Sequence, residues 1–123
     1  MKTTVEDIQS TLHGLLTAHE PTLQVRVHNE KNFEVAGTIP AMQGKKKVDG
    51  HYFATVMPKP KDARLYYFPI YTHVESFSLS PELQKCLKGK SCFHIKKLSP
   101  ELEEEIAAMI QKGVEWYQKD GLI

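Results

Sequence analysis

The run LKGKSCFHIKK, from Leu87 to Lys97, sets a glycine-lysine-serine step, a cysteine, a histidine and four lysines side by side. Three chemistries draw on such residues: phosphate binding, metal ligation and thiol nucleophilicity. A nucleotide-binding phosphate loop needs a further glycine upstream of the Gly-Lys-Ser and a helix after it. That upstream position holds Gln84, and the surrounding pattern predicts a helix before Gly89 and a strand after Ser91. The step reads instead as a helix-ending glycine followed by a polar turn. Structural zinc typically uses cysteines about two to four residues apart, with a second ligand pair elsewhere. Cys86 and Cys92 fall on different elements and no second pair exists. The thiol remains. On a strand, Cys92, His94 and Lys96 share one side and Phe93 and Ile95 the other. The apolar pair suits the core, so Cys92 and His94 face a groove or solvent. Lys88, Lys90, Lys96 and Lys97 would lower the Cys92 pKa, which makes Cys92 with His94 the candidate pair for an enzyme. Cys86, beside Leu83 and Leu87, reads as a buried free thiol.

Other side chains offer binding rather than reaction. Tyr52, Phe53, Tyr66, Tyr67 and Phe68 crowd onto one expected hairpin, and alternation gives each strand an aromatic on both faces. One face belongs to the core; the other is a pocket wall or an interface. With the residues just beyond, this predicts a ligand groove of Tyr52, Tyr67, Tyr71, His73, Cys92 and His94. Acids open two expected helices: Glu6 and Asp7 the first, Glu101, Glu103, Glu104 and Glu105 the last. Acids there complement the helix dipole. The same oxygens can hold a hard or borderline cation weakly, so Glu6, Asp7, Glu101, Glu104 and Glu105 are the candidate metal ligands. Lys45, Lys46, Lys47, Lys59, Lys61 and Arg64 make the central loops basic, and Lys85 to Lys97 contains no acid. Such runs are either solvated faces or sites for an anion or an acidic partner.

The elements that must position these residues follow from periodicity and stop signals. Thr3-Thr4-Val5-Glu6 has capping-box spacing, and Val5, Ile8, Leu12, Leu15 and Leu16 line one face of a helix over about 4–19, closed by Pro21. Strands are predicted at 23–28, 33–36, 51–57, 64–70 and 91–96, with a long loop over 37–50 and an irregular link over 71–79. Pro69 is expected near a strand end or an edge. Ser80-Pro81-Glu82-Leu83 and Ser99-Pro100-Glu101-Leu102 both have the form of a helix start: a capping serine, a proline in the first turn, an acid at the positive end. The first opens a short helix ended by Gly89. The second opens a long one to about Lys119, with Leu102, Ile106, Met109, Ile110, Val114 and Tyr117 facing inward. The expected fold is α+β: an antiparallel sheet of about five strands, with the N-terminal and long C-terminal helices on one face.

The bulk numbers set outer bounds. A chain of 123 residues, 41% hydrophobic and 25% charged, suits a single domain over 1–123 with one core. A net charge of +1 gives no global field for nucleic acid, and no apolar run approaches the roughly 20 residues of a membrane span. The start MKTTVEDIQS lacks the apolar stretch of a signal peptide, and two cysteines are too few for a disulfide scaffold. A reducing, cytoplasmic setting is expected, with no membrane partner, and a monomer or homodimer as the assembly.

The pieces YFATV, LYYFPIY and SPELQKCLKGKSCFHIKKLSPELEEEI, with IPAMQGKKKV upstream, together resemble the YdhG-like family. This is a bacterial domain family largely without assigned function. The resemblance covers His51 to Tyr117 and implies a compact α+β domain with an antiparallel sheet. It also implies a link to iron, because at least one member is described as a frataxin-like iron chaperone serving cluster or haem assembly. The chain departs from many members at Met57-Pro58-Lys59-Pro60, and it lacks the acidic first helix on which iron chaperones of that kind rely. The expected function is a small non-catalytic module binding a small ligand or a protein partner. Frataxin-like iron binding and an enzyme using Cys92 and His94 are the alternatives.

Overall fold

The computed structural model describes all residues, 1–123. In chain order the elements are α1 (Val5–Thr17), β1 (Gln24–Asn29), β2 (Asn32–Ala36), β3 (Ala41–Gln43), β4 (Lys46–Val48), β5 (Tyr52–Pro58), β6 (Ala63–Tyr67), α2 (Pro69–Thr72), α3 (Pro81–Cys86), β7 (Leu87–Lys88), β8 (Cys92–Ile95) and α4 (Pro100–Lys119). A short 3₁₀ turn, Val74–Ser76, lies between α2 and α3. The main sheet has six strands in the order β1-β2-β5-β6-β8-β7, every neighbouring pair antiparallel. The α+β class and the placement of the helices agree with expectation; the sheet has six strands rather than five. The extra strand is β7, two residues that pair Leu87 with Phe93 and Lys88 with Cys92.

The sheet is covered on one face only. Ala63, Leu65 and Tyr67 on β6 alternate with part-exposed Arg64 and Tyr66; Phe93 and Ile95 on β8 alternate with part-exposed Cys92 and His94. Against the buried set pack Ile8, Leu12 and Leu16 of α1 and Leu102, Ile106, Ile110 and Val114 of α4. A bulge breaks the alternation at β5. Val35 pairs with Ala54 and Ala36 with Tyr52, so Phe53 is the extra residue. It turns inward, where its ring meets Tyr67 and Tyr117 edge-on at centroid distances of 5.5 and 5.0 Å.

Several local expectations change for identifiable reasons. Thr4, not Thr3, caps α1, its hydroxyl accepting from the Asp7 N–H at 3.2 Å. Pro69 opens α2 instead of ending a strand, since a fixed φ suits a first helical turn. Gly89 does not end α3, which stops at Cys86; with φ of +83° it turns the chain between β7 and β8. The expected loop over 37–50 contains the β3–β4 hairpin, turned at Gly44 with φ of +63°.

The two Ser-Pro-Glu-Leu starts are joined in space. Ser80 and Ser99 each accept from a backbone N–H three residues on, Leu83 and Leu102, at 3.1 Å. Glu105 of α4 accepts from the Ser80 N–H at 2.8 Å and from its hydroxyl at 2.5 Å. In return the Ser99 hydroxyl donates to Glu82 of α3 at 3.2 Å. Each helix thus supplies a carboxylate to the positive end of the other.

Candidate functional site

The uncovered sheet face carries the reactive side chains. Register places Cys92 beside Tyr66, Tyr66 beside Thr55, and His94 beside Arg64. Tyr52 stands on this face too, its hydroxyl 2.5 Å from that of Thr55; burial pushes its pKa up to about 12. Asp62, buried in the β5–β6 turn, accepts from Arg64 Nε at 3.3 Å and lies 3.9 Å from His94 Nδ1.

The surroundings of Cys92 do not lower its thiol pKa. Partial burial raises its pKa above the ordinary value, and the Tyr66 hydroxyl and Arg64 offset only part of that rise. The expected lowering by neighbouring lysines is overturned, because desolvation outweighs the charge around the sulfur. Burial, with Glu82 close by, also raises the Cys86 thiol, which is partly exposed rather than fully buried.

The groove expected from the aromatics is divided among three places. Tyr52, Cys92 and His94 lie on the open face. Tyr67 lies in the core, where its hydroxyl donates to the Met109 carbonyl at 2.5 Å and burial raises its pKa. Tyr71 is exposed, with the Lys90 ammonium 5.4 Å from its ring centre. His73 stacks on Trp116 at 4.6 Å and pairs with Asp120 at 3.0 Å, joining α2 to the end of α4.

The candidate metal ligands are divided as well. Glu105 is occupied as the cap of α3. Glu101 and Glu104 border a shallow cleft with Lys2, whose ammonium pairs with Glu103 at 2.6 Å. Glu6 lines a separate hollow against Pro58 and Lys59, and Asp7 sits at the capped first turn of α1. No three His, Cys, Asp or Glu side chains come together in a group able to hold a metal ion.

What does converge is charge of one sign. Because β7 begins only at Leu87, opposite Phe93, His94 and Ile95 have β6 on one side and no strand on the other, and a cleft of about 460 Å³ opens there. Lys85 from α3, Lys88 from β7, and Lys96 and Lys97 from the segment after β8 border it. None of these four ammoniums forms a salt bridge. The two acids in the cleft are already engaged, Asp62 with Arg64 and Glu82 with the Ser99 hydroxyl at the start of α4. His94 borders the same cleft, which connects it to the open sheet face. Four lysines stand against Glu82 and an Asp62 that pairs with Arg64, so the cleft keeps an excess of positive charge.

No protein-family model, curated protein or solved structure matches the chain. In the sequence the four lysines are visible only as an acid-free run. Asp62 carries no signal at all inside Pro-Lys-Pro-Lys-Asp. The β6–β8 register brings Asp62 to His94, and the start of β7 at Leu87 opens the cleft, and neither can be read from residue types. No helix is long and apolar enough to cross a membrane.

Proposed function

We propose that the chain is a small non-catalytic binding module of the cytoplasm, and that it takes an anionic ligand in the lysine-bordered cleft beside β8. One observation carries this reading: four ammoniums from three segments border one concavity that holds only two acids, of which Asp62 is paired with Arg64. Clefts of a few hundred Å³ suit small ligands. A module reading also agrees with thiols held protonated by burial, which leaves Cys92 a poor nucleophile beside His94. Iron handling lacks a comparable convergence, since the carboxylates it would use are spread over separate surfaces. Membership of the YdhG-like family is part of the proposal, resting on the quoted motifs, and supplies no ligand by itself.

The test is a titration with sulfate and with citrate, followed by backbone amide NMR at low ionic strength. Shifts should concentrate at Lys85–Lys88 and His94–Lys97 and fade as salt is raised. Shifts spread evenly over all lysine-bearing surfaces, or none, would remove the cleft as the site.

A further inference from the structure

We infer that the cleft is built for an oligophosphate, a compact anion with three or more negative charges on adjacent phosphates; this rests on the reading of the cleft as an anion site. The number of charges is the first argument. Asp62 is set against Arg64, while Glu82, bonded only to an uncharged hydroxyl, offsets one of the four ammoniums and leaves an excess of three positive charges. A single phosphate or sulfate brings at most two charges and leaves the cleft positive. A di- or triphosphate brings three to five within one short molecule.

The type of cation is the second argument. Lysine acts as a hydrated point charge with three rotatable donors, without the rigid fork by which arginine grips carboxylates and phosphates alike. No arginine borders the cleft, and nearby Arg64 is held by Asp62. Lysines on three separate segments can meet tetrahedral phosphate oxygens from several directions without a fixed fork. The walls are the third argument. Apart from Leu102 and Cys86 the lining is charged or polar, and no tyrosine, phenylalanine or tryptophan stands in it. Bases of nucleotides and of single strands are held largely by stacking on such rings. The ligand therefore presents phosphate without a base.

Calorimetry on the whole chain at low ionic strength separates the outcomes, with tripolyphosphate, pyrophosphate, citrate, sulfate and a ten-residue oligothymidylate as probes. Tripolyphosphate should bind most tightly, at least about tenfold better than citrate, with sulfate weakest. The double variant Lys96→Gln, Lys97→Gln should weaken tripolyphosphate about tenfold or more. The double variant Lys45→Gln, Lys46→Gln removes the same charge from the β3–β4 hairpin and should change binding less than about twofold. Citrate binding as well as pyrophosphate would overturn the oligophosphate inference and leave the anion cleft standing. Oligothymidylate binding more tightly than tripolyphosphate would overturn it in favour of an extended polyanion. If both double variants weaken binding equally, net charge alone is responsible and the cleft reading itself falls.

Discussion

Gly113 sits in the middle of α4, and replacing it with alanine should destabilise the protein, against the usual sign. In an open helix interior Gly→Ala gains about 1 kcal/mol. Here a Cβ would overlap the Tyr67 hydroxyl and stand 2.9 Å from Tyr67 Cζ and 3.1 Å from Pro69 Cγ. Tyr67 has no room to withdraw. Its ring is fully buried, with Phe53 edge-on at 5.5 Å and Phe77 edge-on at 5.8 Å. Displacing its hydroxyl from the Met109 carbonyl leaves a buried donor unpaired, which costs about 1–3 kcal/mol. Crowding a packed core costs about 1–3 kcal/mol more. Less the helix gain, the net loss is about 3 kcal/mol. With a urea slope of roughly 1–3 kcal/mol per molar, the unfolding midpoint drops by about 1–3 M. Gly14 in α1 is the control: nothing lies within 4 Å of its would-be Cβ, so Gly14→Ala should stabilise by about 1 kcal/mol. Tyr67→Phe combined with Gly113→Ala should cost less than the two singles summed, because the clashing oxygen is gone. A Gly113→Ala protein as stable as the parent would refute the close packing of α4 on β6.

Three further outcomes follow from the same geometry. Glu105→Ala should cost about 1–3 kcal/mol by leaving the Ser80 N–H and hydroxyl unpaired, while exposed Glu104→Ala stays within about 0.5 kcal/mol; urea unfolding of both checks the difference. His13 stacks on Phe33 at 4.2 Å with its Nε2 unpartnered, and burial, then His28, lower its pKa below the ordinary 6.5. The folded state therefore favours the neutral ring, so this contribution is full above about pH 6.5 and is lost as pH falls through the lowered value. His13→Phe keeps the stack and should flatten the stability profile between pH 7.5 and 5; an unchanged slope would place the titration elsewhere. Alkylation of Cys92 at neutral pH should run no faster than that of an unstructured thiol, and a Cys92→Ser protein that alkylates at the parental rate at the remaining site would agree; a fast, selective reaction at Cys92 contradicts its raised pKa.

Much of the fold is legible because single residues state it locally. Ser80 and Ser99 mark helix starts, and the three-and-four spacing from Leu102 to Tyr117 marks the inner face of α4. The alternation of Phe93 and Ile95 with Cys92 and His94 gives the correct sides of β8. Tyr66-Tyr67 gives no such instruction. Two identical rings fit either face, and only the pairing of Tyr66 with Cys92 sends Tyr67 to the core. The Phe53 bulge is equally silent, since it arises from a mismatch with β2. The β3–β4 hairpin had a signal in Gly44-Lys45, a two-residue turn with glycine first, masked by three successive lysines. The cleft was beyond reach for a different reason. It depends on where α3 ends and β7 begins, and such a boundary is set by what packs beside it.

The exchange of carboxylates between α3 and α4 bears on how the molecule opens. Six residues are too few for a helix to persist alone, isolated helices of under about 12–15 being marginal in water. The first turn of α3 is held by Glu105, so it forms only where α4 is already docked. Amide hydrogens from Leu83 to Cys86 should accordingly exchange with the first turn of α4 as one sub-global unit, ahead of the β5–β6 amides. Lys85 rides on that unit. The cleft can then widen from its α3 side while the sheet that carries His94 stays closed.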